Sequence, residues 1–140
     1  MPNTKALLLL ATILLLASCS RHKPITPDEL QSQLTSAASL AAEAEIFVDY
    51  IRQNRATRNY AEGHREYLAD QVKRASRELR EAIPGQVSEE KLQEYGSELD
   101  SFANELQGVG RALDDPEALA VAKQRFAALR QTFKRTKSSQ

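Results

Sequence analysis

The sequence predicts an all-α protein, an antiparallel up-down four-helix bundle, on three observations. Apolar residues recur at steps of three and four in four successive segments, the period of a single helix face. Ala, Leu, Glu, Gln, Arg and Lys dominate beyond residue 26, and no β-branched run alternates with polar residues, so strand signatures are missing while helix formers abound. The segments are joined by short stretches, which make neighbours in sequence antiparallel neighbours in space.

The first helix is expected over about 27–56. Thr26-Pro27-Asp28-Glu29 offers a cap, a proline at the first helical position and the glutamate of a capping box. Leu30, Leu34, Ala37, Ala41, Ala44, Val48 and Ile51 form its seam. The second, over about 59–83, carries Leu68, Val72, Ala75, Leu79 and Ala82 and stops at Ile83-Pro84-Gly85. Asn59 with Glu62 is its expected capping box. The third, over about 88–113, starts at Ser88 and shows Leu92, Tyr95, Leu99, Phe102, Leu106, Val109 and Leu113. Gly96, Gly108 and Gly110 interrupt it, each costing about 1 kcal/mol relative to alanine; they suit close packing, a loosened helix end or a hinge, and early termination near Gly108 is the plainest expectation. The fourth, over about 116–136, opens at Asp115-Pro116-Glu117 and carries Leu119, Ala122, Phe126, Leu129 and Phe133.

One junction leaves an alternative. If the first two segments were a single rod over 27–83, the chain would be an elongated three-helix arrangement. Continuing the first stripe reaches Arg55, Arg58, Glu62 and Arg65, so that seam dies before Leu68 begins another. A turn is preferred. Charge supports four neighbours in a ring: residues 27–51 hold five acidic and no basic side chains, and residues 118–140 six basic and no acidic. Residues 52–83 are net basic and 84–117 net acidic. Each exposed pair contributes little stability, but the alternation disfavours wrong neighbours.

Ahead of the bundle domain, 27–137, lies a segment of another kind. Met1-Pro2-Asn3-Thr4-Lys5 precedes an apolar run from Ala6 to Ala17, the length of a secretory h-region and too short for the roughly 20 residues of a spanning helix. The run ends Leu16-Ala17-Ser18-Cys19. An ordinary export cleavage site has a small residue where Leu16 stands. The tetrapeptide instead resembles the lipobox of bacterial lipoproteins: an aliphatic residue, two small residues and a cysteine.

The resemblance covers residues 1–20. It implies that 1–18 is a cleaved signal peptide, that the Cys19 thiol is lipidated, and that its new amine is acylated. It further implies a membrane-anchored envelope protein. In a Gram-negative cell, Ser20 in place of aspartate favours an outer-membrane site facing the periplasm. Multiple acyl chains anchor stably where one is reversible. Cys19 is the only cysteine, so an exported chain has no disulfide. Residues 19–26 read as a tether.

The remaining residues exclude more chemistry than they suggest. The two histidines, His22 and His64, both lack the Glu-x-x-His spacing of di-iron bundles. The lone methionine, Met1, falls in the signal segment, and no C-x-x-C-H occurs, so haem ligation has no basis. No cofactor, metal ligand or catalytic residue is predicted. Removal of Lys5 with the signal leaves a net charge of −1, a poor footprint for nucleic acid.

Tyr60, His64 and Tyr67 share a helix face at i, i+4 and i+7, either as a binding face or as a ring-rich flank of the core. The Ala/Ser stretch Ser36–Ala42 suits close helix approach, in the core or against another molecule. Arg130 to Lys137 suits either anionic headgroups or the closing helix dipole. The expected function is that of a lipid-anchored, non-enzymatic helical interaction protein with an envelope protein partner. The alternative is a ligand- or peptide-binding bundle with a cleft near Tyr60, His64 and Tyr67.

Overall fold

Four side-chain caps start four helices in the computed structural model, which describes residues 23–135. Thr26 is extended and accepts the Glu29 amide at 3.2 Å, while Glu29 Oε2 accepts the Thr26 amide at 2.8 Å. This reciprocal box, with Pro27 following, begins α1 (Pro27–Arg52). Thr57 accepts the Tyr60 amide at 3.3 Å and begins α2 (Arg58–Glu81). Ser88 accepts the Lys91 amide and begins α3 (Glu89–Arg111). Asp115 Oδ1 accepts the amides of Glu117 and Ala118, both at 3.0 Å, and begins α4 (Pro116–Arg135). Each cap satisfies amides that the first helical turn cannot.

The expected boundaries hold within one to four residues, and the largest corrections fall on the α1–α2 junction. α1 stops at Arg52 rather than near 56, because Asn54 takes a left-handed conformation at φ 54°. The Asn54 amide then donates to Ile51 O at 2.9 Å and the Arg55 amide to Tyr50 O at 3.1 Å, the paired bonds of a Schellman motif. Asparagine tolerates this conformation better than most side chains. The junction is therefore a turn, and the continuous rod is excluded. The α2 cap is Thr57, not Asn59, since an extended threonine two residues earlier already reaches an open amide. α2 ends at Glu81, ahead of the extended Ala82 and of Pro84. α3 runs through Gly108 to Arg111, so that glycine does not terminate it.

Sequential helices pack antiparallel, giving a four-helix bundle. The ring closes between α4 and α1, and α1 also touches α3. The seam residues read from the sequence face inward: Leu30, Leu34, Leu68, Leu79, Leu92, Leu99, Leu106 and Leu119 are all buried. Phe102 packs against Phe126 and Phe133, with ring centroids 5.5 and 6.5 Å apart. Two seams are closely packed, α2–α3 and α1–α4. Along α1, Ala37, Ala38, Ala41 and Ala44 are buried, and such small side chains let a neighbouring backbone approach. The hydroxyls of Ser36 and Ser39 instead turn back onto the carbonyls of Ser32 and Thr35. The Ala/Ser stretch thus serves the core.

Between α2 and α3 the space is set by glycine and arginine. A β carbon at Gly96 would lie 2.9 Å from Arg80 Cγ, and one at Gly110 would lie 2.8 Å from Arg65 Nε. Each arginine therefore crosses its helix partner where no side chain stands. Arg80 continues to Asp100 at 2.6 Å, and the Ser76 hydroxyl donates to the other Asp100 oxygen at 2.6 Å. Ion pairs follow the predicted charge alternation: Asp49–Lys123 and Glu45–Arg130 join α1 to α4, and Glu105–Arg125 joins α3 to α4.

The two ends of the bundle differ. At one, the Ile25 amide donates to Ile83 O at 3.0 Å, and Pro24 lies against Gly85 so closely that a β carbon there would meet it at 2.6 Å. Buried Ile25 and Val87 close the core beneath them. The chain thus enters the bundle pinned to the α2–α3 loop, at the end where α4 finishes. The opposite end carries the α1–α2 and α3–α4 loops, joined by Arg58 and Asp114.

Candidate aromatic cleft

The α1–α2 seam is built from rings instead of small residues, and it stays open. Phe47, three residues beyond Ala44 and off the predicted stripe, is buried with its ring centroid 4.9 Å from His64. Tyr60 stacks on His64 at 5.5 Å with the planes 7° apart, and Tyr67 lies 6.0 Å from the other side at 25°. Tyr50 of α1 meets the edge of Tyr60 at 6.2 Å. Such ring pairs add about 0.5–1.5 kcal/mol beyond their burial. Five rings therefore form one ladder across two helices, with His64 at its centre.

Four of these rings, Phe47, Tyr50, Tyr60 and His64, line a cleft of about 580 Å³ together with Glu43, Ile46, Arg55 and Thr57, while Tyr67 stands outside its lining. His64 Nε2 lies 3.2 Å from Glu43 Oε1, a polar contact that ties α2 to α1. The sequence brought Tyr60, His64 and Tyr67 to one face, and the structure joins them. It missed the α1 half: Glu43, Ile46, Phe47 and Tyr50. The available signal was a second, weaker stripe, Glu43, Ile46, Tyr50, running beside the buried one at helical spacing.

Ile46 is 70 % exposed, Tyr67 54 %, Tyr60 51 % and Tyr50 42 %. The other exposed large apolar residues, Ile83 and Val121, stand apart. Scattered apolar residues on a surface are ordinary, but a contiguous group is not. Compared with protein families, with characterised proteins and with solved structures, the chain matches none. The chemistry of the site must be read from its own atoms.

His64 has Glu43 and three rings around it, and Thr57, Tyr50 and Tyr60 bring hydroxyls to the lining of the cleft. Ring faces and Ile46 offer apolar contact, while Glu43, Arg55 and Thr57 offer polar contact at the edges. Among the described residues no group of three or more His, Cys, Asp or Glu is placed to hold a metal ion. None of the described helices is long and apolar enough to cross a membrane.

Two expectations and one further cleft fall elsewhere. Cys19 and His22 lie outside the described residues, as do the signal segment 1–18 and Lys137. At the basic end, Arg130 pairs with Glu45 at 2.9 Å, and Lys134 and Arg135 sit in the last turn of α4, where cations complement the helix dipole. The charged cleft around Lys73, Arg74, Arg77 and Arg80 is partly neutralised by Asp70 and Asp100. In it, burial opposes but does not overcome the Ser76 and Arg80 hydrogen bonds, which hold the Asp100 carboxyl below its ordinary pKa.

Proposed function

We propose that this protein is a lipid-anchored, non-enzymatic interaction protein of the bacterial envelope, and that the α1–α2 cleft is the face it offers to a protein partner. The carrying observation is the gathering of Ile46, Tyr50, Tyr60 and Tyr67, all exposed, on one face around a cleft. Tyrosine provides large, rigid, amphipathic contact area and is enriched at the centres of interfaces.

The geometry of the two ends supports this reading. An anchor at Cys19 stands four residues before Lys23, a tether of about 14 Å at most. It would enter at the end where Ile25 bonds to Ile83. The rings around Phe47 and Tyr50 lie about 20 residues further along α1, roughly 30 Å from that end. A short tether would thus hold the bundle on the membrane with its cleft held away, toward the compartment a partner occupies.

Two measurements test the halves of this reading separately. Intact mass spectrometry of membrane-extracted protein is expected to give residues 19–140 plus acyl chains, and Cys19→Ala to abolish that mass. An unlipidated mass would remove the anchor. Photo-crosslinking residues placed at positions 46 and 67 in cells are expected to trap a protein that the same residue at position 94, on α3, does not. Equal trapping at all three positions would remove the cleft as the partner face.

A second reading, of a cleft for a small molecule or free peptide, draws on the same 580 Å³ volume. It predicts binding that is lost in His64→Ala and Tyr67→Ala, and unchanged binding in both would reject it.

A further inference from the structure

Resting on the cleft as the partner face, we propose that its occupant is an apolar peptide segment bearing a carboxylate, and that Arg55 receives that carboxylate. Two charged side chains line the cleft, Glu43 and Arg55. Glu43 already has His64 at 3.2 Å. Arg55 is different. On either side of it Arg52 pairs with Asp49, and Arg58 with Glu62 and Asp114. Among the described residues the Arg55 guanidinium has no such partner, although its backbone is fixed by the bond from its amide to Tyr50 O that closes α1.

An unpaired arginine on an open surface is merely solvated. This one stands at the mouth of an apolar cleft beside Tyr50, Thr57 and Tyr60. Whatever fills the cleft strips water from the guanidinium as it covers the rings. Desolvating a charge without a counter-charge is costly, and removing one partner of a buried pair costs several kcal/mol for the same reason. An occupant must therefore bring an anion to that edge.

A carboxylate fits better than a phosphate-rich ligand. One guanidinium matches one carboxylate through two parallel hydrogen bonds. Phosphate clusters call for several converging cations or helix amides, whereas the remaining lining is Ile46, Phe47, Tyr50, Tyr60 and the already paired Glu43–His64. Glu43 at the other end of the cleft repels a second acidic group there, which fixes the direction of the segment: apolar side chains over the rings, acid toward Arg55. A segment with the opposite charge would set its cations against Arg55 and bury them unpaired.

The test uses the full chain in lipid nanodiscs and two benzophenone-bearing peptides of identical apolar sequence, one with Glu and one with Lys at each charged position. Cross-linked sites are mapped by mass spectrometry. The Glu peptide is expected to label residues 43–67 about tenfold more than the Lys peptide, the ratio that corresponds to about 1.4 kcal/mol. Arg55→Glu is expected to reverse that order, and Tyr60→Ala to reduce labelling by both peptides.

Equal labelling of residues 43–67 by both peptides, or an order unchanged by Arg55→Glu, would overturn the carboxylate while leaving the cleft as the binding face. Labelling by neither peptide, or labelling spread over α3 and α4, would overturn both. Arg55 lies in an exposed turn and contributes only its backbone amide to the fold, so its variant remains a folded probe.

Discussion

α2 belongs to two seams, and they are built on opposite rules. Toward α3 it presents Ser76, Arg65 and Arg80 to glycines and to Asp100, and the backbones come close. Toward α1 it presents Tyr60, His64 and Tyr67 to Phe47 and Tyr50, and the rings hold the backbones apart. Both seams contain polar groups. In the first, Ser76 and Arg80 find their partner across the seam in Asp100; in the second, Arg55 and half of each tyrosine ring are left facing outward. The same helix therefore closes the fold on one side and leaves a surface for use on the other.

The sharpest way to break that comparison is to truncate one side chain on each side. Leu99→Ala, adjacent to Asp100 and fully buried, is expected to lower unfolding free energy by about 2–5 kcal/mol. Ile46→Ala, 70 % exposed at the cleft, is expected to stay within about 0.5 kcal/mol of the parent. Urea denaturation of the two variants measures both. Comparable losses would mean that the cleft is part of the structural core.

Glycine substitutions sharpen the same contrast at smaller scale. A β carbon at Gly63, on α2 between Tyr60 and Tyr67, would meet nothing within 4 Å. Gly63→Ala is therefore expected to stabilise by about 1 kcal/mol, the difference in helix propensity. Gly96→Ala would gain the same propensity but must displace Arg80 from its path to Asp100. Its expected net effect is zero or a loss. A gain at Gly96 equal to that at Gly63 in denaturation midpoint would show that the arginine is not held in place.

The smallest expected effect is in pH dependence. Ser76 and Arg80 hold the folded pKa of Asp100 below its unfolded value, despite partial desolvation. Its contribution is therefore complete above the unfolded pKa, about 3.9, and is lost as pH falls through the depressed folded pKa. Asp100→Asn is expected to be less stable than the parent at neutral pH and to converge with it in acid. The difference is small because the carboxylate is half exposed and screened by solvent. Parallel stability curves for the two proteins down to pH 2 would remove the carboxylate from the closed seam.

What could be read beforehand follows a physical divide. The caps at Thr26, Ser88 and Asp115 and the four buried stripes were legible because caps act over three residues and stripes over one helical period. Tyr60, His64 and Tyr67 were grouped for the same reason. Phe47 was missed because its burial depends on a facing helix, and Thr57 because two residues of capping type, Thr57 and Asn59, stand two positions apart. Gly96 and Gly110 were open to three readings, close packing, a loosened helix end or a hinge. Only the crossing arginines of α2 show why the space is left empty.

The sequence by itself determined the all-helical class, three of the four helix starts and the inward faces, since each depends on local hydrogen bonding or on periodicity along one chain. Tertiary structure alone decided which seams close and which opens. That outcome depends on summed side-chain volumes across two helices at once: alanine and glycine draw α4 to α1 and α3 to α2, while five rings wedge α1 from α2. The position of Arg55 at the mouth of the cleft was decided in the same way, by a left-handed Asn54 that no periodicity records.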